Sequence, residues 1–175
     1  MAAGNSIDLP PPSCERTDNK FEEAQDAAQP VAAARRQYIT DINVPQVGQT
    51  RVDQMYPIGS MLKAGARIVG GSDWPVSSMN PLLAIETAVT RSDPTGRLTG
   101  VLNEDERVSL ADVLAAYTIN GAYLMHQETQ TGSLEAGKAA DFVVLARDLF
   151  EIPPQEIGEV EVTRTVLDGV TVYQR

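Results

Sequence analysis

The chain has 175 residues, 24 acidic and 14 basic side chains, and a formal net charge of −10. This balance argues against a nucleic-acid partner, because phosphates attract clusters of lysine and arginine and the only adjacent basic pair is Arg35-Arg36. No apolar run approaches the ~20 residues that cross a bilayer, so no membrane partner is predicted. A single cysteine, Cys14, excludes an internal disulfide and is typical of a cytoplasmic chain with a solvated thiol.

Residues 1–48 differ in composition from the rest of the chain. They contain Pro10-Pro11-Pro12, scattered acids and few large apolar side chains. Such a segment cannot bury enough apolar surface to offset the entropy lost on ordering. We therefore expect a poorly ordered leader, with a short helix over residues 31–38 as the one candidate element. A foreign or misread leader and a genuine linker both stay open as its origin.

The first clear helix signal follows at residue 57. Pro57 suits the first turn of a helix that places Ile58, Met61 and Leu62 on one face. Gly65 comes just past the end of this pattern and is typical of a C-terminal stop. The sequence therefore predicts a short helix between these two residues.

A short buried strand is predicted over residues 67–71, because its apolar pair lacks the alternation of a half-exposed strand. Asn80 and Pro81 then mark the start of a second helix, whose apolar residues recur at helical spacing: Leu82, Ile85 and Val89. This α–β–α unit delivers Asp73 at the exit of the strand. In an α/β barrel the loops after the strands build the catalytic face, so Asp73 is the candidate metal ligand or general base.

The longest helix signal covers residues 110–125. Ser109 can cap its first turn, and Asp112 three residues later completes a capping-box pattern. The small pair Gly121-Ala122 would allow a neighbouring strand or helix to approach closely. This region predicts one continuous amphipathic helix.

Beyond residue 131 the helical period gives way to that of strands. Residues 141–146 are rich in β-formers, and residues 160–167 alternate over most of their length. Asp168-Gly169 is a two-residue hairpin signal that leads into residues 170–173. Three strands are predicted, and unpaired edges among them would favour self-association.

Four separated motifs occur in one order along the chain, and together they resemble the amidohydrolase superfamily, most closely the amidohydrolase 3 group. The motifs are the stretch 51–67, which contains RVDQMYP and LKAGAR, then GSDWPV at 71–76, AYTINGA at 116–122 and GSLEAGKAADFVVL at 132–145. Each short motif also occurs by chance elsewhere. The resemblance rests on their combination, which extends from about residue 50 to the end of the chain.

The resemblance implies a metal-dependent hydrolase of carbon–nitrogen (non-peptide) bonds in small amide-like substrates. The family fold is a (β/α)8 barrel with a small composite β-sandwich domain, and its full-length members bind a divalent metal, most often zinc. By position, Asp73 matches the aspartate after the eighth strand, which ligates metal and shuttles a proton from the attacking water. The family's His-x-His pair and its other ligands have no match here.

Ligand and length counts limit this reading. A catalytic zinc takes three protein ligands, and the chain has one histidine, His126. A complete barrel needs roughly 250 residues. We therefore expect an α/β fold in which residues 49–130 form the last βα units of a barrel and residues 131–175 form sandwich strands, with no metal bound by this chain alone.

Three hypotheses stay open for the function: a portion of an amidohydrolase, a non-catalytic remnant or interaction module, and one half of a split enzyme completed by an N-terminal chain. Near Asp73, Ser72 is expected to be a supporting hydrogen bonder and Trp74 a packing residue, with pocket lining as its alternative. His126 is expected to stabilise a helix end. The acidic run 104–106 predicts a solvated face or an early helical turn.

Overall fold

The computed structural model describes residues 43–74, 78–96 and 100–175. The predictions for a helix over residues 31–38, for Cys14 and for the order of residues 1–42 lie outside these ranges. The described α-helices are α1 (Val44–Val47), α2 (Gln49–Val52), α3 (Ile58–Lys63), α4 (Pro81–Thr90), α5 (Leu110–Ala116) and α6 (Ile119–Leu124). The described strands are β1 (Phe142–Leu145), β2 (Val162–Leu167) and β3 (Val170–Gln174), and 3-10 helices cover Glu104–Glu106 and Pro154–Glu159. Within these ranges, no helix combines the length and apolar character that crossing a membrane would require.

The two predicted helices before residue 91 are confirmed, together with the signals that bound them. At the end of α3, Gly65 has φ +81°, and the N–H groups of Gly65 and Ala66 donate to the carbonyls of Leu62 and Met61 at 2.9 Å each. These bonds form a Schellman motif, for which glycine is the favoured residue because it carries no Cβ. At the start of α4, Asn80 Oδ1 accepts from the Leu82 N–H at 3.0 Å.

The predicted strand over residues 67–71 is wrong. The segment contains the buried residues Ile68 and Val69, but it pairs with none of the three described strands. A strand in a sheet requires a neighbouring backbone that supplies a ladder of hydrogen bonds. In the described part of the chain the Gly70 N–H instead donates to the Ala116 carbonyl at 3.0 Å, so α5 provides its partner.

The single helix predicted over residues 110–125 is also wrong, because the chain breaks between α5 and α6. Thr118 has φ −130° and ψ −99°, outside the helical region. Its hydroxyl donates to the Leu114 carbonyl at 2.7 Å, and its N–H donates to Ala115 at 3.2 Å. A threonine hydroxyl that bonds four residues back competes with the helical ladder and favours a bend.

The predicted N-cap of this region is confirmed, and the predicted close approach is shifted by one residue. The Ser109 hydroxyl accepts from the Asp112 N–H at 3.1 Å. A Cβ on Gly132 would lie 2.6 Å from the Cβ of Ala122, whereas one on Gly121 would meet nothing closer than 4.0 Å. Ala122 is therefore the small residue that allows the approach.

The C-terminal strands form an antiparallel sheet in the order β1-β2-β3, which confirms the three predicted strands. Asp168 and Gly169 join β2 to β3 with φ of 49° and 74°. Two successive positive φ values are those of a type I′ turn, whose twist matches that of the flanking strands. All five residues of β3 are exposed.

The core joins the helices to the C-terminal segment. Helix α4 packs against the 3-10 helix Pro154–Glu159, and Glu86 on α4 accepts from the Gly158 N–H at 2.8 Å. The buried core residues come from both halves of the described chain: Ile58, Ile68, Leu82, Ile85, Ala88, Val113, Ala116, Leu149, Ile157 and Val160. The result is a fold of mixed helix and strand content, in which the segments before and after residue 131 share apolar contacts. The division of the chain into barrel units and sandwich strands at residues 130–131 stays a prediction.

Candidate functional site

Asp73 lies in a tight turn that follows the segment 67–71, in which Ile68 and Val69 are buried. Its φ is +47°, a left-handed conformation that aspartate tolerates better than most residues. Its side chain is exposed to solvent. The turn therefore presents a carboxylate to solvent at the exit of residues 67–71, as the sequence predicts.

The segment before Asp73 is held by α5 and α6. Asn120 Nδ2 on α6 donates to the Ile68 carbonyl at 2.9 Å, and the Gly70 N–H donates to Ala116 at 3.0 Å. The Arg67 guanidinium lies 3.7 Å from the centroid of the Tyr123 ring, a distance at which a cation–π interaction is favourable. The two helices thus contact this segment along its length.

Tyr117 packs directly against Gly70. A Cβ on Gly70 would lie 2.3 Å from Cε2 of the ring, which explains why glycine is required there. The phenolic oxygen is buried and, among the residues that the structure describes, has no hydrogen-bond partner. Burial raises the pKa of Tyr117 to about 12, so the phenol stays protonated near neutral pH and is no candidate for a general base.

The predictions for the other candidate residues, Trp74, His126 and Ser72, differ in how they compare with the structure. Trp74 is 63% exposed, so its interpretation as a packing residue is wrong for the described part of the chain. His126 follows α6 with φ +57°, and its N–H donates to the Tyr123 carbonyl at 3.0 Å. This backbone bond closes the helix end, and a stabilising role of the His126 side chain there stays a prediction. For Ser72, a supporting role beside Asp73 stays a prediction.

The residues present do not fit a complete metal centre. Over the described ranges, no group of three or more histidine, cysteine, aspartate or glutamate side chains could hold a metal ion. Asp73 and His126 are brought together in no such group. The donor set on the described surface is therefore one candidate carboxylate.

Comparison with known proteins places the chain in a family. The sequence profile described as the amidohydrolase family matches residues 20–173. The chain belongs to the amidohydrolase family. The match begins at residue 20, within the predicted leader, and it includes Asp73 and every described helix and strand except the last residue of β3.

Individual relatives of this amidohydrolase chain are much longer proteins. It is 38% identical over 122 residues to an N-substituted formamide deformylase from Arthrobacter pascens, which aligns 70% of this chain with 22% of that protein. It is 30% identical over 132 residues to the putative amidohydrolase YtcJ of Bacillus subtilis strain 168, aligning 75% of this chain with 25% of that one. The chain thus spans about a quarter of the length of these curated relatives.

A solved structure with a partial likeness is an amidohydrolase from Thermotoga maritima MSB8. It shares 26% sequence identity with the chain, with a TM-score of 0.49 over 67% of this chain and 26% of that one.

Sequence reasoning missed the residues that organise this amidohydrolase chain from a distance. Glu106, in the acidic run, accepts from the Ser60 N–H at 2.7 Å and also from the Ser60 hydroxyl. Burial alone would raise the pKa of Glu106, but the hydrogen bonds from Ser60, the charge of Arg91 and the Gly59 N–H together hold that pKa below its ordinary value. Asn120 lies within the motif AYTINGA, which does not indicate the residue that its side chain contacts. No local pattern reports a partner that lies 46 or 52 residues away.

Proposed function

We propose that the chain supplies the C-terminal portion of a metal-dependent amidohydrolase that hydrolyses carbon–nitrogen bonds of small amide-like compounds. The observation that carries the proposal is the exposed Asp73 carboxylate just after the buried residues Ile68 and Val69, within the range matched by the family. The N-substituted formamide deformylase relative motivates N-substituted formamides as the first substrate class. In this proposal the helices before residue 131 are remnants of the last barrel units.

Asp73 is proposed as the one metal ligand that this chain contributes. One carboxylate does not hold a catalytic zinc, which takes three protein ligands. The remaining ligands would come from barrel segments that these 175 residues do not include, so we expect no turnover by this chain alone. A cytoplasmic setting is proposed with it, since the chain has a single cysteine.

The proposal is tested by complementation. The chain is mixed with the N-terminal portion of the Arthrobacter pascens relative, truncated where the similarity to this chain begins, and hydrolysis of N-substituted formamides is measured with added Zn²⁺. We expect turnover with the wild-type chain. Asp73→Asn should lower the rate by at least about a hundredfold, because loss of a hydrogen-bonding partner of a metal ligand already costs about 10–100-fold and Asp73 is proposed as a ligand itself. Asp105→Asn, an exposed carboxylate on the 3-10 helix Glu104–Glu106, is the matched control and should retain activity.

Two results would count against the proposal. Equal turnover with the Asp73→Asn chain would remove Asp73 from the site. No turnover in any mixture would favour the non-catalytic remnant. Metal content is measured in parallel, after dialysis of the isolated chain against metal-free buffer. A tightly held ion in the wild-type chain alone would show that the chain assembles a site from other residues or across a self-associated pair.

A further inference from the structure

The break between α5 and α6 supplies the hydrogen-bonding partner that a neighbouring strand would otherwise give to the segment before Asp73. The Ile68 carbonyl accepts from the Asn120 side chain at 2.9 Å, and the Gly70 N–H donates to the Ala116 carbonyl at 3.0 Å. In an extended chain, the C=O of one residue and the N–H two residues later point to the same side. The helix pair therefore bonds one edge of this segment on both sides of Val69.

This is the pattern of a parallel strand pair, in which one residue of the neighbouring strand donates and accepts on either side of the residue it faces. Here the donor is a side-chain amide and the acceptor is a helix carbonyl. In a continuous helix the Ala116 carbonyl would accept from the N–H of Asn120 four residues later. Because Thr118 interrupts the ladder, the Ala116 carbonyl bonds Gly70 instead.

We propose that Asn120, together with the helix break at Thr118, holds the segment 68–70 in this strand-like pattern of hydrogen bonds. The position of Asp73 is determined by this contact. Asn120 is thus a positioning residue that acts through the Ile68 carbonyl. Only two residues lie between Gly70 and Asp73, so a shift of the segment is passed to the carboxylate over a short length of chain. The functional importance of this positioning rests on the proposed role of Asp73.

The contact is also sterically tight, which makes it specific. The Gly70 backbone lies so close to the Tyr117 ring that no Cβ fits between them. Arg67, at the start of the segment, is held by the Tyr123 ring on α6. The segment is therefore bound at Arg67, Ile68 and Gly70 by residues on both sides of the break.

Trp74 makes the inference testable without metal or substrate. It is the only tryptophan in the chain, it adjoins Asp73, and it is 63% exposed. Its fluorescence anisotropy and quenching by acrylamide report on the turn. Amide hydrogen exchange at Gly70, followed by NMR, reports on the bond to Ala116.

The variant is Asn120→Asp, which keeps the side-chain shape but removes the donor at neutral pH. Leaving the buried Ile68 carbonyl without its partner should accelerate Gly70 amide exchange by about tenfold or more. The Trp74 anisotropy should fall and its quenching should rise. If circular dichroism shows that Asn120→Asp is unfolded, Asn120→Ser is used instead. Its hydroxyl is a donor on a shorter side chain, so the bond to the Ile68 carbonyl should still be weakened, and Gly70 exchange and Trp74 fluorescence should change in the same direction.

The matched control is Asn103→Asp. The Asn103 amide also donates to a backbone carbonyl, that of Met55, at 2.8 Å, but in another part of the fold. It should lower thermal stability to a similar degree while leaving Gly70 exchange and Trp74 unchanged at 25 °C.

Two results would overturn the inference: wild-type exchange and fluorescence in the Asn120 variant, or equal changes in both variants. Because these readouts use the isolated chain, a failure of complementation by Asp73 would leave them intact, and the two proposals fail separately.

Discussion

The contact between Gly70 and Tyr117 allows a quantitative test of how tightly the Asp73 segment is held. Gly70→Ala would place a Cβ 2.3 Å from Cε2 and 2.6 Å from both Cδ2 and Cζ of the ring. Carbon atoms in favourable contact lie about 3.5–4.0 Å apart, so the ring or the segment must move by more than 1 Å. Overpacking of this kind costs about 1–3 kcal/mol.

The backbone itself does not oppose the substitution. Gly70 does not have a positive φ, so alanine can adopt its backbone conformation. At a compatible position, replacing glycine by alanine stabilises by about 0.4–1 kcal/mol through the unfolded state. In wild type the steric cost should therefore outweigh this gain over most of the range, with a net loss of up to about 2.6 kcal/mol.

A double-mutant cycle isolates the contact. In a Tyr117→Leu chain the ring atoms are gone, so Gly70→Ala should be neutral or slightly stabilising, giving a coupling energy of about 1–3 kcal/mol. The free energy of unfolding is measured by urea titration with circular dichroism for all four chains. A coupling energy below about 0.5 kcal/mol would refute the reasoning, because the ring would then not be the group that excludes a Cβ.

Three further predictions use the same measurement. The free energy of unfolding of the wild type should fall by up to about 2.7 kcal/mol between pH 10 and 12, since burial raises the pKa of Tyr117 to about 12 and only the unfolded phenol ionises in that window. Tyr117→Phe should lack this fall and should match or exceed the stability of the wild type at pH 7. The same fall in both chains would contradict the assignment to Tyr117. Burial raises the pKa of Glu86, so its stabilising contribution is complete below the ordinary glutamate pKa and declines as pH rises through the raised value. Glu86→Gln, which can still accept from Gly158, should therefore be more stable than wild type at pH 7, whereas Glu86→Ala should lose about 1–3 kcal/mol, and the reverse order would refute the desolvation argument. Ser109→Ala should cost about 1 kcal/mol by leaving the Asp112 N–H without its cap, and no measurable loss would mean that solvent replaces the hydroxyl.

Features encoded by adjacent residues could be read from the sequence. Helix α3 ends at Gly65 and α4 begins at Asn80 because each signal acts through bonds within a few residues of itself. The hairpin at Asp168-Gly169 is equally local, since two residues at positive φ determine the turn. The placement of Asp73 at the exit of a buried segment follows from the same kind of local pattern.

Features that depend on distant partners could not be read in this way. The segment 67–71 has the composition of a buried strand, yet the residues that bond it lie about 50 positions later, on a helix pair. Apolar composition reports burial, not the identity of the covering element. The prediction that Trp74 packs in the core failed for the converse reason. A large aromatic side chain is buried only where the backbone directs it inward, and residue type alone does not report that direction.

The break at Thr118 shows why periodicity alone misleads over residues 110–125. Both halves keep an apolar face, so the pattern continues through a point where the backbone leaves the helix. Two hydrogen bonds replace what the ladder loses: the Thr118 hydroxyl satisfies the Leu114 carbonyl, and Gly70 satisfies the Ala116 carbonyl. The Leu114 bond is exposed, so water could replace it, whereas an unpaired carbonyl at the buried Ala116 would cost about 1–3 kcal/mol. The break therefore depends most on the bond from Gly70. This bond comes from the segment that carries Asp73, so the helix break and the position of the candidate ligand are two consequences of one contact.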